Sequence, residues 1–253
     1  MEQTGKSPYK HKSFTSEEVL EMYKNGERDF RRTNLAGINL SNKSLVGINL
    51  GGANLTGVDL SGTDLTDGKL STADLTSANL SGAKITNVGF TAARLIGANL
   101  TGVDLRNGLF RKATLTGCNL SGLDFSGSIL ADAELSDSNL SNANLSGVDL
   151  NNAALGGANL SNANLSNTDL CCCDFSYTNL SNANLRNANL TGALLYDTNL
   201  SNANLSGANF NHAYFTQVSA NSANFNDANL SGCDMREVDL SSLDLSQVMF
   251  YPN

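Results

Sequence analysis

The chain has 253 residues, a formal net charge of −8, no Trp, two Pro and 6% aromatic residues, and Asn, Leu, Ser, Ala, Gly and Asp dominate it. So narrow an alphabet excludes a conventional globular core and suits a repeat architecture. No apolar run approaches the roughly 18 residues of a membrane span, and the start MEQTGKSPYKHK has no apolar stretch of the kind a secretory signal needs, so a cytoplasmic protein with no membrane contact is expected. Residues 1–12 read as a flexible polar leader, residues 13–27 as an N-terminal capping helix and residues 28–253 as a repeat solenoid. In the helix, Thr15-Ser16-Glu17-Glu18 is a capping box with Thr15 as N-cap, Phe14 and Val19 stand at the staple positions, and Gly26 suits the end. Val19, Leu20 and Tyr23 are then free to lie on the first coil.

From Phe30 to Phe250 every position divisible by five is apolar, 45 in all: 33 Leu, nine Phe, Ile85, Met235 and Ala220. No insertion or deletion breaks this register. Nine of the ten Phe occupy it and none of the six Tyr does, although the two side chains differ only by a hydroxyl. An unpartnered buried hydroxyl costs about 1–3 kcal/mol, so the register describes a dry interior. Two residues earlier stands a small residue, most often Ala, which shares the inward face. The other positions are Asn or Asp, then Ser or Thr, then Gly, Asn or another polar residue. An odd period cannot continue one strand, because alternation would turn the next Leu outward. Each unit therefore contains a turn, for which Asn, Ser and Gly supply the chemistry.

Units such as Ala53-Asn54-Leu55-Thr56-Gly57 and Ala143-Asn144-Leu145-Ser146-Gly147 resemble the pentapeptide-repeat family over about nine-tenths of the chain. The run from Glu17-Glu18-Val19-Leu20 to Gly26-Glu27-Arg28-Asp29-Phe30 is similar to the leader of its cyanobacterial members. The resemblance implies an all-β, right-handed quadrilateral β-helix with four units per coil. The repeats would then make about eleven coils, a rod roughly 50 Å long at ~4.8 Å per coil. With four units per coil, residues twenty apart stack. Ala220 would lie between Leu200 and Leu240, with Phe215 and Phe225 filling the space it leaves. At the other end, Met249-Phe250-Tyr251-Pro252-Asn253 either folds over the last coil or is covered by a second chain. A monomer is favoured, since Pro252 cannot extend a strand ladder, and an end-to-end dimer through the C-terminal coil is the alternative.

Charge is unevenly placed. Residues 113–253 carry only Arg186 and Arg236 against thirteen acids, which disfavours direct nucleic-acid binding. The basic cluster Arg94, Arg106, Arg111 and Lys112 is too small to reverse that.

Little in the sequence suggests catalysis. His11 lies in the leader and His212 at an outward turn, and no nucleophile triad, phosphate loop or metalloprotease helix is present. No catalytic residue, cofactor or metal site is expected. Cys118, Cys173 and Cys233 take the small inward position, while Cys171 and Cys172 face outward with diverging side chains, so structural thiols are expected. The Asn-Leu-Ser and Asn-Leu-Thr sequons are by-products of the repeat.

The candidate interaction residues are those that break the polar rule just before the central position. Leu109 and Ile129, twenty apart, would stack as an exposed apolar pair. Leu194 and Tyr214 would do so on another side, with Tyr196 and Tyr177 beside them. The expected function is a non-catalytic protein-interaction scaffold with an unidentified protein partner. The alternative, implied by the family, is a DNA-mimicking modulator of a type II topoisomerase such as gyrase. Against it, Asp64, Asp104, Asp124 and Asp244 share one side, Glu134 and Asp174 another, and Asp149 and Asp169 a third, with Asn interrupting each series.

Overall fold

The computed structural model describes residues 7–235 and 248–249. One helix, α1 (Ser16–Lys24), precedes a long series of parallel bridges. Almost every bridge joins residues twenty apart, as in Asn34 with Asn54 and Asn54 with Asp74. Four five-residue units therefore complete one coil. Among the described residues only β1 (Leu194–Tyr196) and β2 (Tyr214–Thr216) lengthen into strands, paired in parallel with Leu194 opposite Tyr214.

The sequence of one unit accounts for all its backbone donors. The Leu55 N–H donates to the Asp74 carbonyl one coil on, at 2.7 Å, and the Gly57 N–H to the Thr76 carbonyl at 2.9 Å. The Val58 N–H closes the turn onto the Leu55 carbonyl, and the Asp59 N–H reaches back to Ile38. The Thr56 N–H has no carbonyl partner and donates instead to Asn54 Oδ1 at 3.1 Å. That bond is why Asn or Asp recurs before the central residue: its side chain holds the one turn donor that no carbonyl reaches. From Arg32 to Gly232, every residue whose number ends in 2 or 7 has φ near +60°. This left-handed position explains the preference there for Gly and Asn.

The interior follows the sequence register. Leu35, Leu140 and Leu195 are wholly buried, as are Phe30, Phe90, Phe110, Phe125, Phe175 and Phe210. Hydroxyls at the small inward position are buried with partners: Thr63 Oγ1 donates to the Leu40 carbonyl at 2.8 Å and Ser128 Oγ to that of Leu105 at 2.6 Å. Among the described residues no buried side-chain polar atom lacks a hydrogen bond. Ala220 is buried, and among the central residues near it in sequence the Phe210 ring lies 5.2 Å from Phe215 and 6.0 Å from Phe225. Leu240, expected above Ala220, lies outside the described residues, as do Phe250 to Asn253 and the alternatives for that end.

At the N-terminus the capping box forms as read: Thr15 Oγ1 accepts from the Glu18 N–H, and Glu18 accepts from the Thr15 N–H at 2.8 Å. Val19 is buried, and the Tyr23 hydroxyl donates to the Val46 carbonyl at 3.0 Å. The leader departs from expectation. Far from being free, its residues 7–12 lie along the first coil. Ser7 donates to the Arg31 carbonyl, the His11 N–H to that of Arg32, and the Lys12 carbonyl accepts from Asn34. Tyr9 packs against Phe14 at 5.5 Å and Phe30 at 6.4 Å. One aromatic ring anchors a segment whose composition is otherwise polar.

Candidate interaction surface

Within one side of the solenoid, Asp174, Leu194, Tyr214 and Asp234 stack at successive coils. Such outward positions usually hold Asn or Asp, whose side chains serve the turn. Leu194 and Tyr214 cannot accept a hydrogen bond there, and the local runs Leu-Leu-Tyr and Tyr-Phe-Thr favour extended backbone. This is where the pairing widens from single bridges into β1 and β2. Leu194 and Tyr196 are exposed, Tyr214 is 52% exposed and Tyr177 61%. Tyr177 and Tyr196 meet edge to face with centroids 5.2 Å apart. The Tyr177 hydroxyl is pushed above its ordinary pKa, first by loss of solvent and then by Tyr196 and Asp197. The structure thus brings four of the six candidate residues together.

The other two lie elsewhere. Leu109 and Ile129 pair across coils on the neighbouring side, several coils nearer the N-terminus. Leu109 is 44% exposed, but Ile129 is only half-buried surface rather than a fully exposed partner. Val46, exposed beside the capping helix, was not singled out by the sequence. It sits just after the central residue, where Ser or Thr is usual, and a search for apolar residues at that position would have found it.

Charge separates the two ends of the described chain. Basic side chains of the first half face acids: Arg106 binds Asp104 at 2.6 Å, and Arg111 approaches Asp132 at 3.5 Å and Asp149 at 3.9 Å. Around the aromatic cluster, Asp174 is half-buried and Asp197 exposed, and among the described residues neither has an ion pair. An apolar patch with an acidic rim results.

His11 and His212 both occupy left-handed turn positions, φ 62° and 57°. Two open grooves lie on the surface, one of about 310 Å³ lined by His11, Arg32 and Thr33 and one of about 240 Å³ lined by Arg186, Ser206 and Asp227. Among the described residues no group of three or more His, Cys, Asp or Glu converges on a metal geometry. No helix among them is long and apolar enough to cross a membrane. Cys118 and Cys173 are buried and, like half-buried Cys233, donate to carbonyls of the preceding coil. The expectation for Cys171 and Cys172 needs correction: their sulfurs do not diverge but lie 3.5 Å apart. Burial first, then the hydrogen bond with Cys172, push the Cys171 thiol up to about 11.

A family model for pentapeptide repeats matches in eight copies, beginning at residues 29–67 and ending at 213–250. The chain belongs to the pentapeptide repeat family. As a pentapeptide repeat protein it is a right-handed β-helix, and among solved structures it is similar to cyanobacterial members. HetL from Nostoc sp. strain PCC 7120, a pentapeptide repeat protein involved in heterocyst differentiation regulation, is 32% identical with a TM-score of 0.51, covering 88% of this chain and 97% of HetL. A pentapeptide repeat protein of the Arabidopsis thaliana thylakoid lumen is 41% identical over 37% of this chain and 66% of its own, TM-score 0.37. Full-length QnrB1, a plasmid-mediated fluoroquinolone resistance protein, is 16% identical over 83% of this chain and 92% of its own, TM-score 0.35. No curated protein matches the chain.

Proposed function

We propose that this pentapeptide repeat protein is a non-catalytic scaffold that binds another protein through Tyr177, Leu194, Tyr196 and Tyr214. One observation carries the reading: these four side chains cluster, exposed, on a solenoid whose remaining surface is largely Asn, Ser and Asp. Aromatic and aliphatic anchors inside a polar rim are the usual energetic centre of a protein interface. The acidic rim at Asp174 and Asp197 favours a partner segment with aliphatic or aromatic residues flanked by Lys or Arg. A regulatory role agrees with that of HetL, which is involved in heterocyst differentiation regulation. The twenty-residue coil carried through all repeats makes about eleven coils, a rigid rod roughly 50 Å long. We place the protein in the cytoplasm as a monomer, with Leu109 and Ile129 as a secondary contact. Expression of the tagged protein in its native host should recover a stoichiometric partner that survives moderate salt. Recovery of gyrase subunits alone, lost as salt rises, would replace this reading.

The topoisomerase reading has one feature in its favour, the thirteen acids against two bases after residue 112. Regularly spaced charge is what phosphate mimicry requires, and Asn79, Asn99, Asn119, Asn139, Asn159, Asn179 and Asn199 fill one side instead. The purified protein is expected to leave gyrase supercoiling unchanged.

A further inference from the structure

We propose that the Cys171–Cys172 thiol pair is a chelating site for thiophilic divalent cations of the zinc and cadmium class. The two Sγ atoms lie 3.5 Å apart at an outer edge of the solenoid, with Cys172 exposed and Cys171 half-buried. Neighbouring side chains on extended backbone point to opposite faces. Here Cys172 is in the left-handed conformation, φ 57°, and this turn brings its sulfur back beside that of Cys171.

The backbone under the pair is fixed by the solenoid. The Cys172 N–H donates to the Thr191 carbonyl at 2.9 Å, and the Cys171 carbonyl accepts from Asn152 at 2.8 Å. The Cys171 N–H donates to Asp169 Oδ1 at 3.2 Å. A tetrahedral cation with metal–sulfur bonds of about 2.3 Å holds its two sulfurs about 3.8 Å apart, so the pair needs to open by only a few tenths of an ångström. The residue one coil above Cys172 is Gly192, and a Cβ there would stand 3.3 Å from the Cys172 sulfur, so a larger residue at 192 would crowd this thiol, which is exposed to solvent.

Charge supports a cation as the ligand. The chain after residue 112 is strongly acidic, which raises the local concentration of cations. Thiolates select soft cations over the magnesium and calcium that carboxylates hold. Binding breaks two S–H bonds, releases two protons to solvent and forms two metal–sulfur bonds, with no electron transfer. The protein fills two of four coordination positions, and water or a small thiol takes the others. The site therefore loads and releases its ion instead of holding it as a structural centre. The inward thiols of Cys118, Cys173 and Cys233, each bonded to a backbone carbonyl, do not share this geometry.

The test is a titration of the reduced full-length protein with cadmium chloride, following thiolate-to-cadmium charge-transfer absorption and proton release in weak buffer. One cadmium per chain and two protons per cadmium are expected. Cys171→Ser and Cys172→Ser should each weaken binding about tenfold or more, the scale already seen when only an outer hydrogen-bond partner of a ligand is lost. Asn151 and Asn152 fill the equivalent positions one coil below, so polar replacements keep the fold. Absence of a saturable band at one equivalent overturns the proposal, and so does an unchanged titration in either single variant.

Discussion

Two sides of the same coils use one backbone in opposite ways. On the first, Asn159 donates to Asn139 at 3.4 Å, Asn179 to Asn159 and Asn199 to Asn179 each at 3.3 Å. The same carboxamides accept turn N–H groups, as Asn159 does from Ser161 at 3.1 Å. Each side chain there is occupied by its own neighbours. On the second side, Leu194 and Tyr214 satisfy nothing in the turn and leave apolar area in water. The difference shows that the residue before the central position decides whether a side is self-satisfied or available to a partner, while the interior stays the same beneath both.

The largest effect should be blind to that difference. Leu140→Ala, under the Asn side, and Leu195→Ala, under the aromatic side, should each cost about 2–5 kcal/mol in urea denaturation, because both side chains are wholly buried. A clear inequality between them would show that the two sides do not share one interior. Asn159→Ala should cost about 1–3 kcal/mol, since it strips the Ser161 N–H of its acceptor and cuts the ladder. Leu194→Ala, by contrast, should stay within about 0.5 kcal/mol of wild type. Similar losses for these two variants would break the comparison. Ala220→Leu should cost about 1–3 kcal/mol by overpacking the coil bordered by Phe215 and Phe225, read as a lower melting temperature. Ala92→Gly relieves a left-handed alanine, φ 55°, and should raise stability by about 1 kcal/mol.

Acid should act through the carboxylates that replace Asn in the ladders. The Ser61 N–H holds the Asp59 carboxyl below its ordinary pKa, the Thr66 hydroxyl does so for Asp64, and the Arg106 guanidinium for Asp104. A carboxyl depressed by folding stabilises the fold above its unfolded value of about 3.9. That contribution is lost as pH falls through the folded value. The melting temperature should therefore be flat near neutrality and fall below about pH 4. Asp59→Asn keeps the accepting oxygen and should reduce that acid sensitivity; an identical acid profile would assign the loss to other groups.

Much of this architecture was legible because the repeat exposes its own logic. The exclusion of Tyr from the central register marks the interior, and Thr15 with Glu18 marks the helix start. Leu194 and Tyr214 could be paired once residues twenty apart were taken to stack, and Tyr196 and Tyr177 were placed beside them by their nearness in the repeat. Three features were not legible, each because it depends on local three-dimensional placement. Tyr9 anchors a segment that reads as polar, since one ring against Phe14 and Phe30 outweighs its composition. Ile129 lies flatter than its position suggests. The sulfurs of Cys171 and Cys172 converge because a left-handed residue in the turn defeats the alternation expected of neighbours.

The central claim is that the side carrying Leu194 and Tyr214 meets a partner and the Asn side does not. The most direct measurement is affinity isolation from the native host with three tagged proteins, each first shown by circular dichroism to be folded at the working temperature: wild type, Leu194→Asp with Tyr214→Asp, and the matched-charge control Asn159→Asp with Asn179→Asp. The account predicts one stoichiometric partner with wild type and with the Asn-side control, and its loss from the Leu194/Tyr214 variant. Retention by that variant, or equal loss from both variants, would contradict it.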